Sequence, residues 1–168
     1  MNIVLIGFMG SGKSTAGKIL ADLLEYDFID TDRVIEERAG RSIPQIFEEQ
    51  GEERFRQLES LVLESVCAGS RRVISTGGGA VLRQRNFQCL KQSGRVVYLH
   101  LSEDELLKRT ARLSGRPLLA GADRKERVRE LLAERSGLYE KAADLTIEAD
   151  RLEPKQVAET IAERLGRN

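Results

Sequence analysis

The sequence predicts a single α/β domain in which helices cover both faces of a five-stranded, mainly parallel sheet, giving a three-layer sandwich. Five short apolar segments of strand type alternate with segments of helical periodicity along the 168 residues. No internal repeat and no linker rich in Gly, Pro or Ser divides the chain. Because a chain of this length can bury a substantial core, we expect one domain over residues 1–168.

The first strand leads into a glycine-rich turn with a phosphate-binding pattern. An apolar run over residues 2–6 precedes Gly7-Phe8-Met9-Gly10-Ser11-Gly12-Lys13-Ser14-Thr15, and a helical stretch over 16–24 follows. Strand, glycine-rich turn and helix are the context of a P-loop, whose backbone N–H groups surround an anion. We therefore expect a P-loop NTPase fold in which residues 10–15 hold a nucleoside triphosphate. Lys13 would reach the β- and γ-phosphates and Ser14 would bind Mg²⁺; the alternative is a plain structural turn.

The second strand, over residues 26–30, ends in Asp30-Thr31-Asp32, and a helix is expected from Asp32 to about Ala39. One interpretation is that Thr31 or Asp32 simply caps this helix. The other is that two carboxylates leave the carboxyl end of a parallel strand, where open α/β sheets bind ligands. We favour the second interpretation because a P-loop needs a carboxylate near its Mg²⁺.

A longer helix begins around Ser42 and Pro44, with a predicted break near Gly51. Arg56 lies near its apolar stripe, and its spacing favours a surface ion pair with Glu52, four residues earlier. A third strand over residues 72–76 runs into Gly77-Gly78-Gly79-Ala80. Since one or two glycines suffice for a turn, three indicate a backbone that passes close to a ligand.

The later elements are a strand over 95–101, a helix to about Thr110, a helix over 124–139, a fifth strand over 144–147 and a last helix over 154–165. Ser102 and Glu105 predict a capping box before the first of these helices. Between residues 111 and 123 the periodicity is lost, which indicates either a mobile lid or an ordinary long loop. Residues 108–135 carry nine basic and four acidic side chains, which suits a solvated helix surface or a phosphate-rich ligand.

Composition excludes several classes of partner. Charged residues make up 32% of the chain and balance to a net charge of zero, so we expect no nucleic acid and no membrane surface as partners. No segment approaches the length of a membrane span, and no basic-then-apolar leader precedes the first strand, which predicts a cytoplasmic protein. The two cysteines and the single histidine lack metal-ligand spacing. Without a prominent apolar surface helix, a monomer is the expected state.

Five motifs in this order resemble the shikimate kinases, within the nucleoside monophosphate kinase group of P-loop folds. They are the P-loop at residues 7–15, Asp30-Thr31-Asp32, Phe55-Arg56-Gln57-Leu58-Glu59, Gly77-Gly78-Gly79-Ala80 and Arg116-Pro117-Leu118-Leu119. The resemblance covers nearly the whole chain. It implies transfer of the γ-phosphoryl group of ATP to the 3-hydroxyl of shikimate, an acceptor-binding helical segment at about 31–62 and a lid at about 111–124.

The resemblance also implies roles for individual residues. Asp30 would help to hold Mg²⁺ through water, and Asp32 would bind the hydroxyls of shikimate. From the chemistry of phosphoryl transfer, Asp32 would either orient the attacking 3-hydroxyl or accept its proton. Arg56 and Arg135 would pair with the shikimate carboxylate beside the backbone N–H groups of Gly78 and Gly79. Arg116 would close onto the phosphates, and Arg109 would lie against the adenine. Rival interpretations are another small-molecule kinase of this fold, such as a gluconate kinase, and a nucleotide-dependent switch, although the chain lacks the Asn-Lys-x-Asp guanine signature.

Overall fold

The computed structural model describes residues 1–120 and 123–166. Its strands are β1 (Asn2–Ile6), β2 (Asp27–Asp30), β3 (Arg72–Ser75), β4 (Gly94–His100) and β5 (Leu145–Glu148). Its helices are α1 (Lys13–Leu24), α2 (Thr31–Ala39), α3 (Ile43–Cys67), α4 (Gln84–Ser93), α5 (Glu103–Thr110), α6 (Arg124–Ala142) and α7 (Pro154–Gly166). Short 3₁₀ turns occupy Ala80–Leu82 and Pro117–Leu119.

The five strands form one all-parallel sheet in the order β2-β3-β1-β4-β5, which confirms the predicted fold class. β1 lies at the centre and is buried along its whole length, as its uninterrupted apolar sequence requires. The order places the carboxyl ends of β1, β2 and β3 side by side. The P-loop, the Asp30 carboxylate and the glycine run therefore meet at one edge of the sheet, the edge at which such folds bind ligands.

The helices cover the sheet in two packed groups. α1 packs against α7, and α4 packs against both α3 and β4. The break predicted near Gly51 is present inside α3, where this glycine has φ 82° and ψ 169°. A complete capping box between Ser42 and Gln45 starts α3. Within the described residues, no helix is both long and apolar enough to span a membrane.

Two predicted helix starts differ from the structure. The cap of α2 is Asp30, whose side chain accepts from the N–H groups of Asp32 and Arg33, and not Thr31 or Asp32. The capping box predicted at Ser102 is only half formed. The Ser102 hydroxyl accepts from the N–H of Glu105. The N–H of Ser102, however, donates to the side chain of Asp150, which follows β5 in the sequence, at 2.7 Å. The Glu105 carboxylate instead pairs with Arg109 at 2.7 Å.

The segment predicted as a lid at 111–124 is more regular than its sequence indicates, although its residues 121 and 122 lie outside the described part. The 3₁₀ turn at Pro117–Leu119 buries the Leu119 side chain, which is 1% exposed. At the start of α6, Arg124 donates to the carbonyls of Thr110 and Leu113 at 2.9 and 2.7 Å. These contacts attach the base of the segment to the end of α5.

Candidate active site

Two adjoining depressions lie at the carboxyl edge of the sheet. The larger is a cavity of about 520 Å³ lined by the P-loop, the start of α2, the end of β3 and residues 113–116. The second is a narrower cleft between α3, the glycine run and the segment that follows Arg116. Both are lined by Met9, Asp32, Gly77, Gly78 and Arg116. Two ligands could therefore lie side by side and contact the same few residues.

The P-loop wraps the larger cavity. Gly10 and Gly12 have φ values of 81° and 88°, a backbone conformation that glycine adopts without strain. The Lys13 ammonium donates to the carbonyls of Gly7 and Phe8 at 2.8 and 2.9 Å. Burial lowers the pKa of Lys13 from 10.5 to about 8. A polyphosphate in the loop would supply the negative charge that this buried cation lacks.

Oxygen atoms from three elements meet beside the P-loop. The Ser14 hydroxyl donates to Asp30 Oδ2 at 2.5 Å and lies 3.2 Å from the Ser75 hydroxyl. Hydroxyl and carboxylate oxygens are ligands that Mg²⁺ accepts, usually one or two from the protein, with water and substrate phosphates completing the shell. The part of the chain that the structure describes holds no cluster of three or more His, Cys, Asp or Glu suited to a metal. Ser14 and Asp30 therefore fit a magnesium ion that is held mainly through a nucleotide.

Arg56 is buried, contrary to the surface position that its spacing favoured. Its side chain is 7% exposed and pairs with Glu52 at 3.1 Å, as predicted, and with Glu59 at 2.9 Å. Its guanidinium presses against Gly79, where an added Cβ would lie 2.3 Å from Nη1. Two carboxylates thus hold the guanidinium against the glycine run at the wall of the narrower cleft.

Glu59 is a site residue for which the sequence predicted no role. Its side chain is fully buried, and burial raises its pKa despite the nearby Arg56 charge. Its Oε1 and the Oδ1 of Asp32 have no hydrogen-bond partner among the described residues. A Cβ on Gly77 would lie 2.9 and 2.8 Å from these two oxygens, so this glycine leaves room for both carboxylates. The sequence signals for Glu59 were its place in the motif at residues 55–59 and its position one helical turn after Arg56.

Arg135 comes from α6 and lines the same cleft as Arg56. Its side chain is 2% exposed, and its Nε and Nη1 have no hydrogen-bond partner among the described residues. Its ion pair with Glu134 is long, at 3.8 Å. A buried guanidinium with free donors is costly unless an anion completes its shell. The arrangement therefore indicates a small anion at the inner end of this cleft.

Tyr139 lies one turn further along α6 and was also missed. Its buried hydroxyl donates to the carbonyl of Gly78. Its ring stacks on Tyr98, with centroids 5.1 Å apart. No local pattern relates a tyrosine in a helix to a glycine 61 residues earlier.

Two further arginines approach the larger cavity. Arg116 Nη1 lies 3.0 Å from Asp32 Oδ2, so the candidate lid and the start of α2 are in contact. Arg109 lies beside the P-loop, with Nη1 3.8 Å from the position that a Cβ of Gly12 would occupy. The structure thus places most of the nominated residues around these two depressions. The P-loop, Asp30, Asp32 and Arg116 line the larger cavity, and the three glycines, Arg56 and Arg135 line the cleft, whereas Arg109 lines neither.

Comparison with known proteins agrees with this geometry. A shikimate kinase family model matches residues 9–166. Shikimate kinase of Pseudomonas aeruginosa (strain LESB58) is 46% identical over 165 residues, which cover 98% of this chain and 96% of the relative. The structure of shikimate kinase from Acinetobacter baumannii in complex with shikimate has a TM-score of 0.96 at 41% identity and covers 99% of this chain and 93% of that one.

A more distant neighbour shows how far the fold extends. Deoxyadenosine kinase from M. mycoides with bound dCTP has a TM-score of 0.64 at 15% identity, with all of both chains covered, and it shares the fold alone. The specific resemblance predicted from the five motifs is confirmed by the much higher identity to the shikimate kinases. By its family model, its sequence relatives and its structure, the chain belongs to the shikimate kinase family.

Proposed function

We propose that this protein is a shikimate kinase that transfers the γ-phosphoryl group of ATP to the 3-hydroxyl of shikimate, giving shikimate 3-phosphate and ADP. One observation carries the proposal: the buried guanidinium of Arg135, with two donors lacking partners, lines the same cleft as Arg56 and the glycine run. A small carboxylate is the anion that suits this site, because a planar guanidinium can bind both of its oxygens. The Acinetobacter relative was solved with shikimate.

The acceptor would be held at both ends. Its carboxylate would pair with Arg56 and Arg135 and accept from the N–H groups of Gly78 and Gly79. Its hydroxyls would donate to Asp32, whose Oδ1 has no partner among the described residues. Because Asp32 also lines the larger cavity, a hydroxyl bound there would face the nucleotide. Asp32 would orient the attacking oxygen and could accept its proton as the new P–O bond forms.

The donor would lie in the P-loop, with the N–H groups of residues 10–15 around its phosphates and Arg109 against its adenine. Phosphoryl transfer proceeds through a loose transition state, so alignment and charge compensation matter most. Lys13 and Arg116 would supply positive charge at the γ-phosphate. Ser14 and Asp30 would hold Mg²⁺, which supplies further charge neutralisation when bound. Arg116 would exchange its contact with Asp32 for one with the phosphates when both substrates are present.

The lid at 111–124 and the acceptor-binding segment at 31–62 would enclose the reaction. The contact between Arg116 and Asp32 supports this, since it already links the two segments across the cavity. Excluding water protects the γ-phosphate from hydrolysis, because water competes with the acceptor hydroxyl. We also predict, from the sequence alone, that the protein is cytoplasmic, that it is a monomer and that it has no nucleic-acid partner.

A coupled ADP-release assay tests the function directly. ATP with Mg²⁺ would be offered with shikimate, gluconate or a nucleoside monophosphate in turn. We expect turnover with shikimate and only background ADP release with the other acceptors, and the product should be shikimate 3-phosphate by mass and phosphorus NMR. Turnover of gluconate without turnover of shikimate would refute the proposal.

A further inference from the structure

We propose that Tyr139 is a positioning residue, whose hydroxyl orients the Gly78–Gly79 peptide so that the Gly79 N–H faces the acceptor carboxylate. The inference rests on the proposed function and assigns a role to a residue outside the five recognised motifs. Tyr139 does not touch the substrate in this proposal. It acts through the backbone of the glycine run.

The hydrogen bond to Gly78 joins two buried groups. Tyr139 is 1% exposed, and its hydroxyl donates to the Gly78 carbonyl. The stacked ring of Tyr98, at an interplanar angle of 28°, limits where the Tyr139 ring can move. Burial raises the pKa of Tyr139, so the hydroxyl remains a donor at any pH at which an enzyme works.

Because a peptide unit is planar, a hydrogen bond that fixes the direction of its C=O also fixes the direction of its N–H. The Gly78 carbonyl and the Gly79 N–H belong to one planar unit, and the structure has no cis peptide bond among its described residues. In a trans unit the C=O and the N–H point in opposite directions. A donor that holds the carbonyl on the α6 side therefore directs the N–H away from α6.

This peptide needs to be held because its neighbours are glycines. Gly77, Gly78 and Gly79 lack side chains, and glycine has access to far more backbone conformations than other residues. Rotation of the Gly78–Gly79 plane would turn a carbonyl oxygen towards a bound carboxylate, which would repel it. A fixed carbonyl removes that alternative before the substrate binds, and preorganisation of this kind strengthens binding.

The positively charged groups of the cleft lie beside the same peptide. The Arg56 guanidinium is in contact with Gly79. The N–H of Gly79 finds no acceptor within the parts of the chain that the structure describes. The charge of Arg135 is close enough to the Tyr139 hydroxyl to oppose the effect of burial on its pKa. The Tyr139 hydroxyl thus links α6, which carries Arg135, to the glycine run, which contacts Arg56.

The test compares Tyr139→Phe with Tyr98→Phe as a matched control. Tyr98 is also buried, at 2% exposed, but the hydrogen bond to the Gly78 carbonyl comes from the Tyr139 hydroxyl. We expect Tyr139→Phe to weaken shikimate binding about ten-fold by calorimetry, which is the effect of about 1.4 kcal/mol. The KM for ATP should stay within about two-fold, and Tyr98→Phe should leave both values unchanged.

A substrate analogue separates positioning from a general structural effect. In the hydroxymethyl analogue of shikimate, the carboxylate is reduced to an alcohol. Wild type and Tyr139→Phe should bind this analogue with nearly equal affinity, because a neutral alcohol gains much less than a carboxylate from the orientation of the Gly79 N–H. Equal weakening of both ligands in Tyr139→Phe, or a variant that matches Tyr98→Phe, would overturn the inference. Failure of the wild type to bind shikimate would instead overturn the proposed function.

The wild-type amide spectrum provides the test if Tyr139→Phe does not fold. The Gly79 amide resonance should be single and sharp, and it should shift strongly on titration with shikimate and weakly with the hydroxymethyl analogue. A Gly79 amide that does not respond to shikimate would refute the proposed contact.

Discussion

Gly79→Ala would move the Arg56 guanidinium without changing a charge. Gly79 has φ −100° and ψ 3°, a conformation open to alanine, so the backbone itself would not resist the substitution. The new Cβ would lie 2.3 Å from Nη1 and 2.6 Å from Cζ of Arg56. Since non-bonded atoms approach to roughly 3.5 Å, the guanidinium must move by about 1 Å.

The size of the effect follows from this displacement. Arg56 is held by Glu59 at 2.9 Å and Glu52 at 3.1 Å, so it cannot move by about 1 Å without stretching contacts that position it. Loss of a hydrogen bond from a charged group costs up to about 3 kcal/mol, or roughly 100-fold in affinity. We therefore expect Gly79→Ala to weaken shikimate binding about 100-fold and to leave ATP binding unchanged.

Titration calorimetry with shikimate and with a non-hydrolysable ATP analogue measures both affinities. Gly137→Ala is a matched control, because no atom lies within 4 Å of its added Cβ and alanine is favoured inside a helix such as α6 by about 1 kcal/mol. Wild-type shikimate affinity in Gly79→Ala would refute the assignment of Arg56 as the carboxylate anchor. An equal loss for both ligands would show that the substitution disturbs the whole site.

Three further predictions concern the charged groups of the site. Arg56→Ala should weaken shikimate binding by about 100-fold or more, through loss of a charged, bidentate contact, and change ATP binding only slightly by calorimetry; equal losses would indicate a folding role. Glu59→Gln should lower the free energy of unfolding by about 3 kcal/mol in urea denaturation, because it leaves the buried Arg56 charge short of a partner. Glu52→Gln, at a half-exposed carboxylate, should cost less than about 1 kcal/mol, and similar losses in both variants would contradict the reasoning. The pKa of Lys13 is lowered by burial to about 8, so the free protein loses this proton above that pH, whereas bound phosphates favour the charged form. ATP binding should therefore take up close to one proton near pH 9 and far less near pH 7, as read from binding enthalpies in buffers of different ionisation enthalpy. Lys13→Met should abolish the difference, and uptake that is the same at both pH values in the wild type would count against a lowered pKa.

The fold was predictable because its signals are local. A strand buried on both faces must be a short, nearly continuous apolar run, and β1 and β4 have that pattern. The P-loop is equally local, since its glycines, lysine and serine act within one turn and the start of one helix. Regular alternation of such elements leaves few arrangements other than a parallel sheet covered by helices.

The errors arose where a distant group competes with a local one. Ser102 and Glu105 have the spacing of a capping box, but the Asp150 side chain, 48 residues later, takes the N–H that Glu105 would have accepted. Arg56 has the spacing of a surface ion pair with Glu52, and that pair exists. Packing of α3 against the glycine run then buries it, and sequence spacing contains no information about that packing.

The sequence nominated most of the side chains that line the candidate site, but not the groups that support them. Arg135 and Arg109 have no local signal of function, and they were nominated only through resemblance to a family. Glu59 and Tyr139 act on other protein groups, so their roles depend on contacts made in the folded chain. Tyr139 reaches Gly78 across 61 residues, a relation that only the three-dimensional structure shows.

The cap of α2 fixes the spacing between two of the proposed site residues, Asp30 and Asp32. Asp30 uses Oδ1 to cap the start of α2 and Oδ2 to hold the Ser14 hydroxyl at the start of α1. Asp32 stands only two residues further along the same helical turn. The proposed metal ligands and the proposed acceptor ligand are therefore mounted on one rigid piece of the protein, whatever the lid segment does. The relative position of the proposed metal ligand Asp30 and the proposed acceptor ligand Asp32 is thus set by a single carboxylate and one turn of helix, before either substrate arrives.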